Sequence, residues 1–368
     1  MQKLNRQDLH DILYGCTILG TGGGGSLDKG LALVDKALDS GRDFTLVGLE
    51  EVPAEGLVAA PYMCGSISPL TEEQEKLYEN LPRIDEVPTL RAFRALEEHL
   101  GERIYGVISC ELGGGNTAEA FYVAATLGRP IVDADPAGRS LPELQQSTFY
   151  MNDISINPVA VASEFGDVAV LTEVVDDFRA ESLIRALAVA SKNSVGVAGH
   201  VSKGSILKNS VIPGAITYAL NIGRAYRQGK NEGKGPAAAL GAYSLFQGKV
   251  NSIEWRDEGG FTLGEINTAG DGDFAGSTYR IWFKNENIMA WKDGKVDVTV
   301  PDLICVFDSA SGEPVINPHF SVGMHISVVG LPGAEQWRTP KGLELQSPQS
   351  FGFDVEYVPI EEKYPQGK

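Results

Sequence analysis

Four consecutive glycines at positions 22–25 stand directly before an amphipathic segment, and this junction constrains the fold more than any other part of the chain. Glycine loses more conformational entropy on folding than other residues do. A folded protein therefore keeps such a run where the backbone takes positive φ angles or where a ligand approaches the main chain. Ser26 is positioned as an N-cap. Apolar residues then recur at the spacing of one helix face: Leu27, Leu31, Val34 and Leu38.

The segment before the glycines restricts which ligand the glycine loop could bind. The glycines match the G-x-G-x-x-G pattern of dinucleotide sites, which requires a preceding strand. Residues 5–19 instead carry apolar residues at helical spacing, which argues against such a site. A helix start after a glycine loop presents free N–H groups that suit an oxyanion or carboxylate. An anion-binding loop and a purely structural turn both remain open, and the substrate-binding candidates are Thr21, Gly22, Gly23, Gly24 and Gly25.

The composition is typical of a globular protein and restricts the partners. The chain has 368 residues, enough for two domains, and a formal net charge of −18. Nucleic acids and anionic membranes require basic surface, so we expect neither as a partner and expect a small-molecule substrate instead. No apolar stretch reaches the roughly 18 residues of a membrane span. The four cysteines are widely separated, which favours reduced thiols and a cytoplasmic location.

Residues 1–165 alternate between strand and helix patterns and are predicted to form an α/β domain with a parallel or mixed sheet. Predicted strands at 103–110 and 130–134 flank a predicted helix at 117–127. This βαβ unit implies parallel neighbouring strands. In such sheets, ligands gather at the carboxyl ends of the strands.

Residues 166–368 show short strand patterns separated by turns, including one at 194–200. Helical patterns at 213–228 and 236–247 interrupt them. The sequence therefore predicts a second, β-rich and barrel-like domain with a helical insert. The predicted boundary falls between Asn157 and Asp167.

Acidic side chains follow both strands of the predicted βαβ unit. Glu111 follows the first strand, Asp133 and Asp135 end the second, and Arg139 comes within one further turn. Neighbouring carboxylates raise one another's pKa, which makes a general base usable near neutral pH. An adjacent cation orients or binds an anionic group. The catalytic candidates are Asp133, Glu143, Glu111 and Asp135.

Several of these residues also have a structural interpretation. Asn116 with Glu119, and Ser140 with Glu143, have the spacing of helix-capping pairs. The structural interpretation of Arg139 is an ion pair with an aspartate on the protein surface. For Asn116 and Glu143 the structural and functional interpretations are equally open.

Other chemistries are less favoured. No cofactor is expected, although Glu111, Asp133 and Asp135 together have the oxygen ligands of a hard-cation site. The five histidines show no metal-binding spacing, and His200 is predicted to be a structural residue in a loop of the second domain. Cys110 is interpreted as a buried thiol rather than a nucleophile.

The chain resembles the S-methyl thiohydantoin desulfurase family, a group related by gene context and fusion to hydantoinase/oxoprolinase proteins. The resemblance covers nearly the whole chain and agrees with the two predicted domains. It rests on residues 19–25, 111–116, 133–135, 138–139, 142–143, 285–287, 301–304 and 351–354.

The resemblance implies hydrolysis of an S-methylated five-membered cyclic thioureide to a hydantoin and methanethiol. On this hypothesis Asp133 or Glu143 is the base, Arg139 holds an anionic group, and Glu111 and Asn116 orient the ring. Two alternatives remain: a non-catalytic binding partner of a hydantoinase/oxoprolinase complex, and a metal-dependent cyclic amidohydrolase. A partner of the hydantoinase/oxoprolinase type and a homo-oligomer are also expected.

Overall fold

The computed structural model describes residues 1–66 and 70–365, whose strands form one eight-stranded sheet, one seven-stranded sheet and one two-stranded ladder. The strands are β1 (Gln2–Leu4), β2 (Phe44–Val47), β3 (Leu57–Gly65), β4 (Gly106–Val107), β5 (Ile131–Val132), β6 (Ala134–Asp135), β7 (Val159–Ala162), β8 (Val168–Leu171), β9 (Ser194–Lys203), β10 (Ile212–Pro213), β11 (Tyr243–Glu258), β12 (Phe261–Gly270), β13 (Thr278–Lys284), β14 (Glu286–Lys292), β15 (Lys295–Thr299), β16 (Leu303–Asp308) and β17 (His325–Leu331).

Most helices belong to the first two thirds of the chain. They are α1 (Arg6–Leu19), α2 (Leu27–Asp39), α3 (Glu72–Tyr78), α4 (Pro88–Leu100), α5 (Asn116–Leu127), α6 (Thr148–Met151), α7 (Asp177–Ala190), α8 (Gly204–Leu207), α9 (Ala215–Asn231), α10 (Pro236–Leu240), α11 (Pro340–Leu345) and α12 (Ile360–Lys363). The predicted junction of helix, glycine loop and helix is confirmed by α1 and α2. The Ser26 side chain caps α2 by accepting the N–H of Lys29 at 3.3 Å.

The first sheet has the strand order β1-β2-β5-β4-β3-β9-β7-β8. Its centre is parallel, from β2 through β5 and β4 to β3, and its remaining pairs are antiparallel. The predicted βαβ unit is β4-α5-β5, and its two strands pair in parallel. The carboxyl ends of these strands therefore lie at one edge of the sheet, as the sequence predicted.

Helices cover both faces of the first sheet. On one face, α1, α2, α4, α5 and α9 share a large apolar core with strands β2 to β5. On the other face, α7 packs against β3 and β9 through Ala180, Ile184 and Ala188. The parallel strands are buried on both sides, which explains their continuous apolar sequence.

The first sheet continues beyond residue 165, the end of the first predicted domain. Strands β8 and β9 both belong to it, and β9 pairs with β3 at its centre. His200 therefore lies in strand β9 of the first sheet, and its prediction as a loop residue was wrong. No local pattern marks which sheet a short strand joins, because long-range pairing decides that.

The second sheet contains β11 to β17 in the order β15-β14-β13-β12-β11-β17-β16, with every pair antiparallel. The sheet curls into a half-barrel around an apolar core that includes Phe246, Tyr279 and Phe283. Helices α9 and α10 precede it and pack together. The predicted fold class, an α/β domain with a mixed sheet followed by a β-rich, barrel-like domain with inserted helices, is confirmed.

Two element predictions were too long. The helix predicted at 236–247 ends at Leu240, because Gly241 takes a left-handed conformation (φ 59°) and β11 begins at Tyr243. The strand predicted at 103–110 shortens to Gly106–Val107. Among the residues that the structure describes, no helix combines the length and the apolar character needed to cross a bilayer.

Candidate active site

A cavity of about 790 Å³ lies between the edge of the first sheet and the turn that joins β13 to β14. Its wall includes the glycine loop at 22–25, the segments at 110–116 and 141–147, and parts of β3, α7 and β9. The second sheet contributes Asn285 and Glu286, and the loop before β17 contributes Ile316, Asn317 and His319. The cavity thus collects several of the predicted segments at one place.

The glycine loop interlocks with a second glycine run at 113–115. A Cβ atom on Gly24 would lie 2.4 Å from the Cα of Gly113, so the two backbones touch. Gly24 also has a φ of 79°, a left-handed conformation that favours glycine. Its carbonyl oxygen accepts the N–H groups of Gly115 (2.9 Å) and Asn116 (3.0 Å) at the start of α5. Part of the glycine run therefore has a structural reason.

The same loop also contains backbone donors that have no partner in the described chain. Within the described chain, the backbone N–H groups of Gly24 and Gly25 make no hydrogen bond, and both residues line the cavity. Unpaired backbone donors at a helix start suit an anionic or carbonyl oxygen. The structural and ligand-binding interpretations of the loop are thus compatible, and ligand binding stays a prediction.

Glu111 is held in the cavity wall by a short network. Its Oε1 accepts the Asn116 side-chain amide at 2.7 Å, and its Oε2 accepts the N–H of Leu141 at 2.8 Å. Asn116 in turn accepts the N–H of Met63 at 2.9 Å, so this side chain does not cap α5. Glu111 is only 7% exposed, and this burial raises its pKa. The two hydrogen bonds lower the pKa, but the effect of burial is larger.

Glu286 faces Glu111 from the second sheet. It is 3% exposed, and its Oε2 has no hydrogen-bond partner among the described residues. A Cβ atom on Gly23 would lie 1.8 Å from its Oε1, so the absence of a side chain at Gly23 makes room for this carboxyl group. Burial, aided by the charge of Glu111 and opposed by Arg139, raises the pKa of Glu286 well above its ordinary value. Glu286 therefore favours its protonated form.

The sequence pattern at 285–287 contained the signal for Glu286, although no single residue of it stood out as catalytic. Asn285 takes a positive φ of 56° between β13 and β14, which makes the tight turn that presents Glu286. Asn287 contacts the glycine loop from the same turn, because its N–H donates to the carbonyl oxygen of Thr21 at 2.7 Å. This turn connects the second sheet to the cavity.

Arg139 lies behind the glycine loop rather than in the cavity wall. It is 1% exposed and donates to the Thr21 hydroxyl (3.0 Å) and to the carbonyl oxygens of Asn287 and Pro301 (both 3.3 Å). Burial lowers its pKa to about 10. Neither Arg139 nor Thr21 is among the described residues that line the cavity. Their contacts instead connect the glycine loop to the second sheet.

The predicted cluster of strand-end carboxylates assembles only in part. The carboxylate of Asp133 accepts the N–H (2.9 Å) and hydroxyl (2.5 Å) of Thr217, so it caps the first turn of α9. Asp135 is fully buried and accepts the N–H groups of Ala137 (3.0 Å) and Gly138 (2.6 Å). Neither aspartate is among the described residues that line the cavity.

Asp135 still belongs to the electrostatic surroundings of Glu111. Burial raises its pKa to about 7, and the charge of Glu111 adds to that rise. Its Oδ2 is buried and has no partner within the described chain. Among the described residues, no group of three or more His, Cys, Asp or Glu side chains has the geometry to hold a metal ion.

Glu143 lines the cavity and forms an ion pair with Lys284 at 2.8 Å. No helix follows Ser140, so the predicted capping box at 140–143 is wrong, and the Ser140 hydroxyl donates to the carbonyl oxygen of Leu112 instead. The local pattern resembled a cap because serine and glutamate at this spacing also suit a compact loop.

Sequence reasoning missed a second ion pair in the cavity wall. Arg185 and Glu181, one turn apart on α7, are joined at 2.5 Å and both line the cavity. Arg185 also donates to the carbonyl oxygens of Pro142 and Gly260. Neither residue belongs to a motif, and i, i+4 charge pairs are common on exposed helix faces, so only the fold reveals their position.

The cavity thiols are not activated. Cys64 and Cys110 line the cavity, and burial raises the pKa of Cys64 to about 12 and that of Cys110 well above its ordinary value. A thiol with a raised pKa stays protonated and is a poor nucleophile at neutral pH. Cys110 is half-buried rather than fully buried, and its raised pKa favours an unreactive thiol over a nucleophile.

Comparisons with known proteins agree with this architecture. A model for an S-Me-THD-like N-terminal domain matches residues 7–173, and one for an S-Me-THD-like C-terminal domain matches residues 175–360. The X-ray structure of a protein from Chromobacterium violaceum is similar, with 21% sequence identity and a TM-score of 0.74, over 98% of this chain and 100% of that chain. That likeness concerns the fold alone. A search of curated proteins found no match.

Proposed function

Because the chain belongs to the S-methyl thiohydantoin desulfurase-like family, we propose that it hydrolyses an S-methylated five-membered cyclic thioureide to a hydantoin and methanethiol. The observation that carries this proposal is the presence of two buried carboxyl groups, Glu111 and Glu286, in one cavity beneath a loop with unpaired N–H groups. Glu111 accepts two hydrogen bonds, whereas the Oε2 of Glu286 has no partner among the described residues, and we assign the two groups different roles on this basis.

Glu111 is the proposed base. Its hydrogen bonds from Asn116 and Leu141 stabilise the carboxylate, while burial raises its pKa and makes it a better proton acceptor than an exposed glutamate. In the proposed reaction, Glu111 takes a proton from water as the water oxygen attacks the ring carbon that bears sulfur. The base was predicted to be Asp133 or Glu143. This assignment moves it to Glu111, because the carboxylate of Asp133 caps α9 and that of Glu143 is paired with Lys284.

Glu286 is the proposed acid. Its raised pKa keeps a proton on a buried carboxyl group, and this proton is transferred to the ring nitrogen as electrons shift from the C=N bond. The N–H groups of Gly24 and Gly25 are assigned to a ring oxygen or a substrate carboxylate. Methanethiolate is a good leaving group, so the intermediate can collapse by expelling sulfur.

The proposal is tested by incubating the purified protein with a panel of S-methyl thiohydantoins. Free thiol is measured with a chromogenic thiol reagent, and the ring product is measured by mass spectrometry in water enriched in the heavy oxygen isotope. We expect equal amounts of thiol and hydantoin, with one heavy oxygen at the carbon that carried sulfur. Glu286→Gln is expected to lower kcat by about 100-fold.

Asp297→Asn provides a matched control for the loss of a buried carboxylate. Asp297 accepts hydrogen bonds from Tyr279 and Tyr364 inside the second domain and is not among the described residues that line the cavity. Its substitution should leave kcat unchanged in the folded fraction. Ring opening of hydantoins without thiol release would instead identify a cyclic amidohydrolase.

A further inference from the structure

His200 and Asp177 form a buried pair at the cavity that the proposed roles of Glu111 and Glu286 do not use. The Nε2 of His200 lies 3.0 Å from the Oδ2 of Asp177, and each residue is 3% exposed. His200 lines the cavity, and its Nδ1 makes no hydrogen bond to the described residues. One ring nitrogen is thus held by a carboxylate, and the other has no partner in the described chain.

The backbone at His200 is unusual for a strand. His200 has a φ of 50°, in the left-handed region that β-strand residues and side chains larger than hydrogen rarely occupy. The strain coincides with an irregularity in the pairing of β9 with β3, between Val58 and Ala60 on β3. Non-glycine residues held in such conformations cluster at functional sites.

The imidazole ring is further fixed by stacking. The ring of Phe149 lies 4.7 Å from it, centroid to centroid, at an interplanar angle of 21°. Phe149 also lines the cavity. Asp177 and Phe149 therefore restrain both the tilt and the rotation of the imidazole, which is the arrangement that a proton-transfer histidine needs.

Other histidine–aspartate pairs in the chain provide a comparison. His10 pairs with Asp35 at 3.0 Å and His325 with Asp271 at 2.9 Å, at similar distances but with greater exposure to solvent. Neither of these histidines lines the cavity, so pairing alone does not distinguish His200. Its burial, strained backbone, stacking and position at the cavity do.

We propose that His200, positioned by Asp177, is a further catalytic residue that carries a proton from the tetrahedral intermediate to the leaving sulfur. This role rests on the proposed hydrolysis. After water attack, Glu111 holds a water proton and Glu286 has given its proton to the ring nitrogen. His200 then removes the proton of the new hydroxyl group as the carbonyl forms and the carbon–sulfur bond breaks.

The imidazolium next gives that proton to methanethiolate, which leaves as methanethiol. Transfer of the remaining proton from Glu111 to Glu286 restores the starting state. One hydrogen of the water molecule thus ends on sulfur, the other replaces the proton that Glu286 gave to the ring nitrogen, and the water oxygen becomes the carbonyl oxygen. Asp177 is a positioning residue, because it holds the ring and does not contact the reacting atoms.

The test uses His200→Gly, because glycine accepts the positive φ without strain and leaves room for free imidazole. We expect kcat for thiol release to fall by about 100-fold and to recover by about tenfold when imidazole is added. Asp177→Asn should lower kcat by about tenfold with little change in KM. His325→Ala, from the exposed pair, should keep the wild-type kcat with or without imidazole.

The outcomes separate the two proposals. If the wild-type protein releases thiol and His200→Gly keeps its kcat, or loses it without recovery in imidazole while remaining folded by circular dichroism, the proton-transfer role is wrong and the proposed hydrolysis stands. If His200→Gly does not fold, a wild-type kcat in Asp177→Asn overturns the proposal. If the wild-type protein releases no thiol from any S-methyl thiohydantoin, both proposals fail.

Discussion

Segment 110–116 follows β4 and segment 133–139 follows β5, and each carries at least one acidic residue and a glycine within a few positions of a strand end. The first brings Glu111 into the cavity wall with Asn116 as its hydrogen-bond donor. The second directs Asp133 to the start of α9 and buries Asp135 against its own backbone. Segments of similar composition after neighbouring parallel strands thus place their acidic side chains differently, and only the first places one in the cavity wall.

The difference arises from what packs next to each segment. The turn after β4 meets the glycine loop backbone to backbone at Gly113 and Gly24, so Glu111 is held under that loop. After β5, the chain pairs β6 with β10, at Asp135 with Ile212 and Ala134 with Pro213, and this ladder brings the N-terminus of α9 to Asp133. An acidic residue at a strand end lies near the edge of the sheet where a site can form. The element that packs next to it decides whether its side chain lines the cavity.

The sharpest test of this comparison is catalytic. Glu111→Gln keeps the shape of the side chain but removes the base, so we expect kcat for thiol release to fall by about 100-fold or more. Asp133→Asn should keep kcat within about twofold, because Asp133 is not among the described residues that line the cavity. Equal losses in the two variants would show that both segments serve the reaction.

The glycines of the two segments are expected to differ in stability effects. A Cβ on Gly113 would lie 2.3 Å from the backbone Cα of Gly24, whereas one on Gly138 would meet the end of the Ile212 side chain at 3.1 Å. Gly113→Ala should therefore lower the free energy of unfolding by about 3 kcal/mol.

Gly138→Ala should cost about 1 kcal/mol, mainly because Gly138 has a positive φ of 69°. Chemical denaturation of both variants measures the difference. Similar losses would mean that the glycine loop can move away from Gly113 and that the interlocked contact is not required.

The pH dependence of stability separates Asp135 from an ordinary strand-end aspartate. Burial raises its pKa in the folded state to about 7, so the folded protein binds a proton that the unfolded chain has lost. Its contribution to stability is therefore present at low pH and is lost as the pH rises toward 7. Between about pH 5 and about pH 8, this loss amounts to about 3 kcal/mol.

Asp135→Asn removes this titration, and its unfolding free energy should fall less over the same pH range than that of the wild-type protein. Denaturation at both pH values measures the two differences. An identical pH dependence in variant and wild type would show that Asp135 has an ordinary pKa in the folded protein.

A small effect is also expected at the helix cap. Asp133→Asn keeps an oxygen for the N–H of Thr217 but loses the negative charge at the start of α9 and one acceptor for the Thr217 hydroxyl. We expect thermal or chemical denaturation to show a loss of about 1 kcal/mol. A loss of activity without a loss of stability would return Asp133 to the catalytic candidates.

Local chemistry made several features predictable. The α2 helix with its Ser26 cap, the βαβ unit around α5 and the presence of a glycine loop all follow from periodicity, capping and turn residues within short windows. The sequence also pointed to Glu111, Asn116, Glu143 and the loop glycines, which line the cavity. Their common feature is a position at or near a strand end or a helix start, which a sequence pattern can indicate.

Other features depended on contacts between distant segments. Glu286 enters the cavity from a turn of the second sheet, Arg185 from the middle of α7, and His200 from a strand that joins the first sheet beyond the predicted boundary. For Arg185 and His200, nothing within a short window of sequence separates them from an ordinary surface charge or a structural histidine.

The amino-acid sequence by itself determined the two-domain class of fold, the glycine loop between two helices and the acidic strand ends, because each depends on interactions among residues close in the chain. The tertiary structure alone decided which acids share a cavity. Burial and long-range pairing set the pKa of Glu286, turned Asp133 toward α9 and placed His200 beside Asp177. The physical reason is that desolvation and neighbouring charge act through space rather than along the chain.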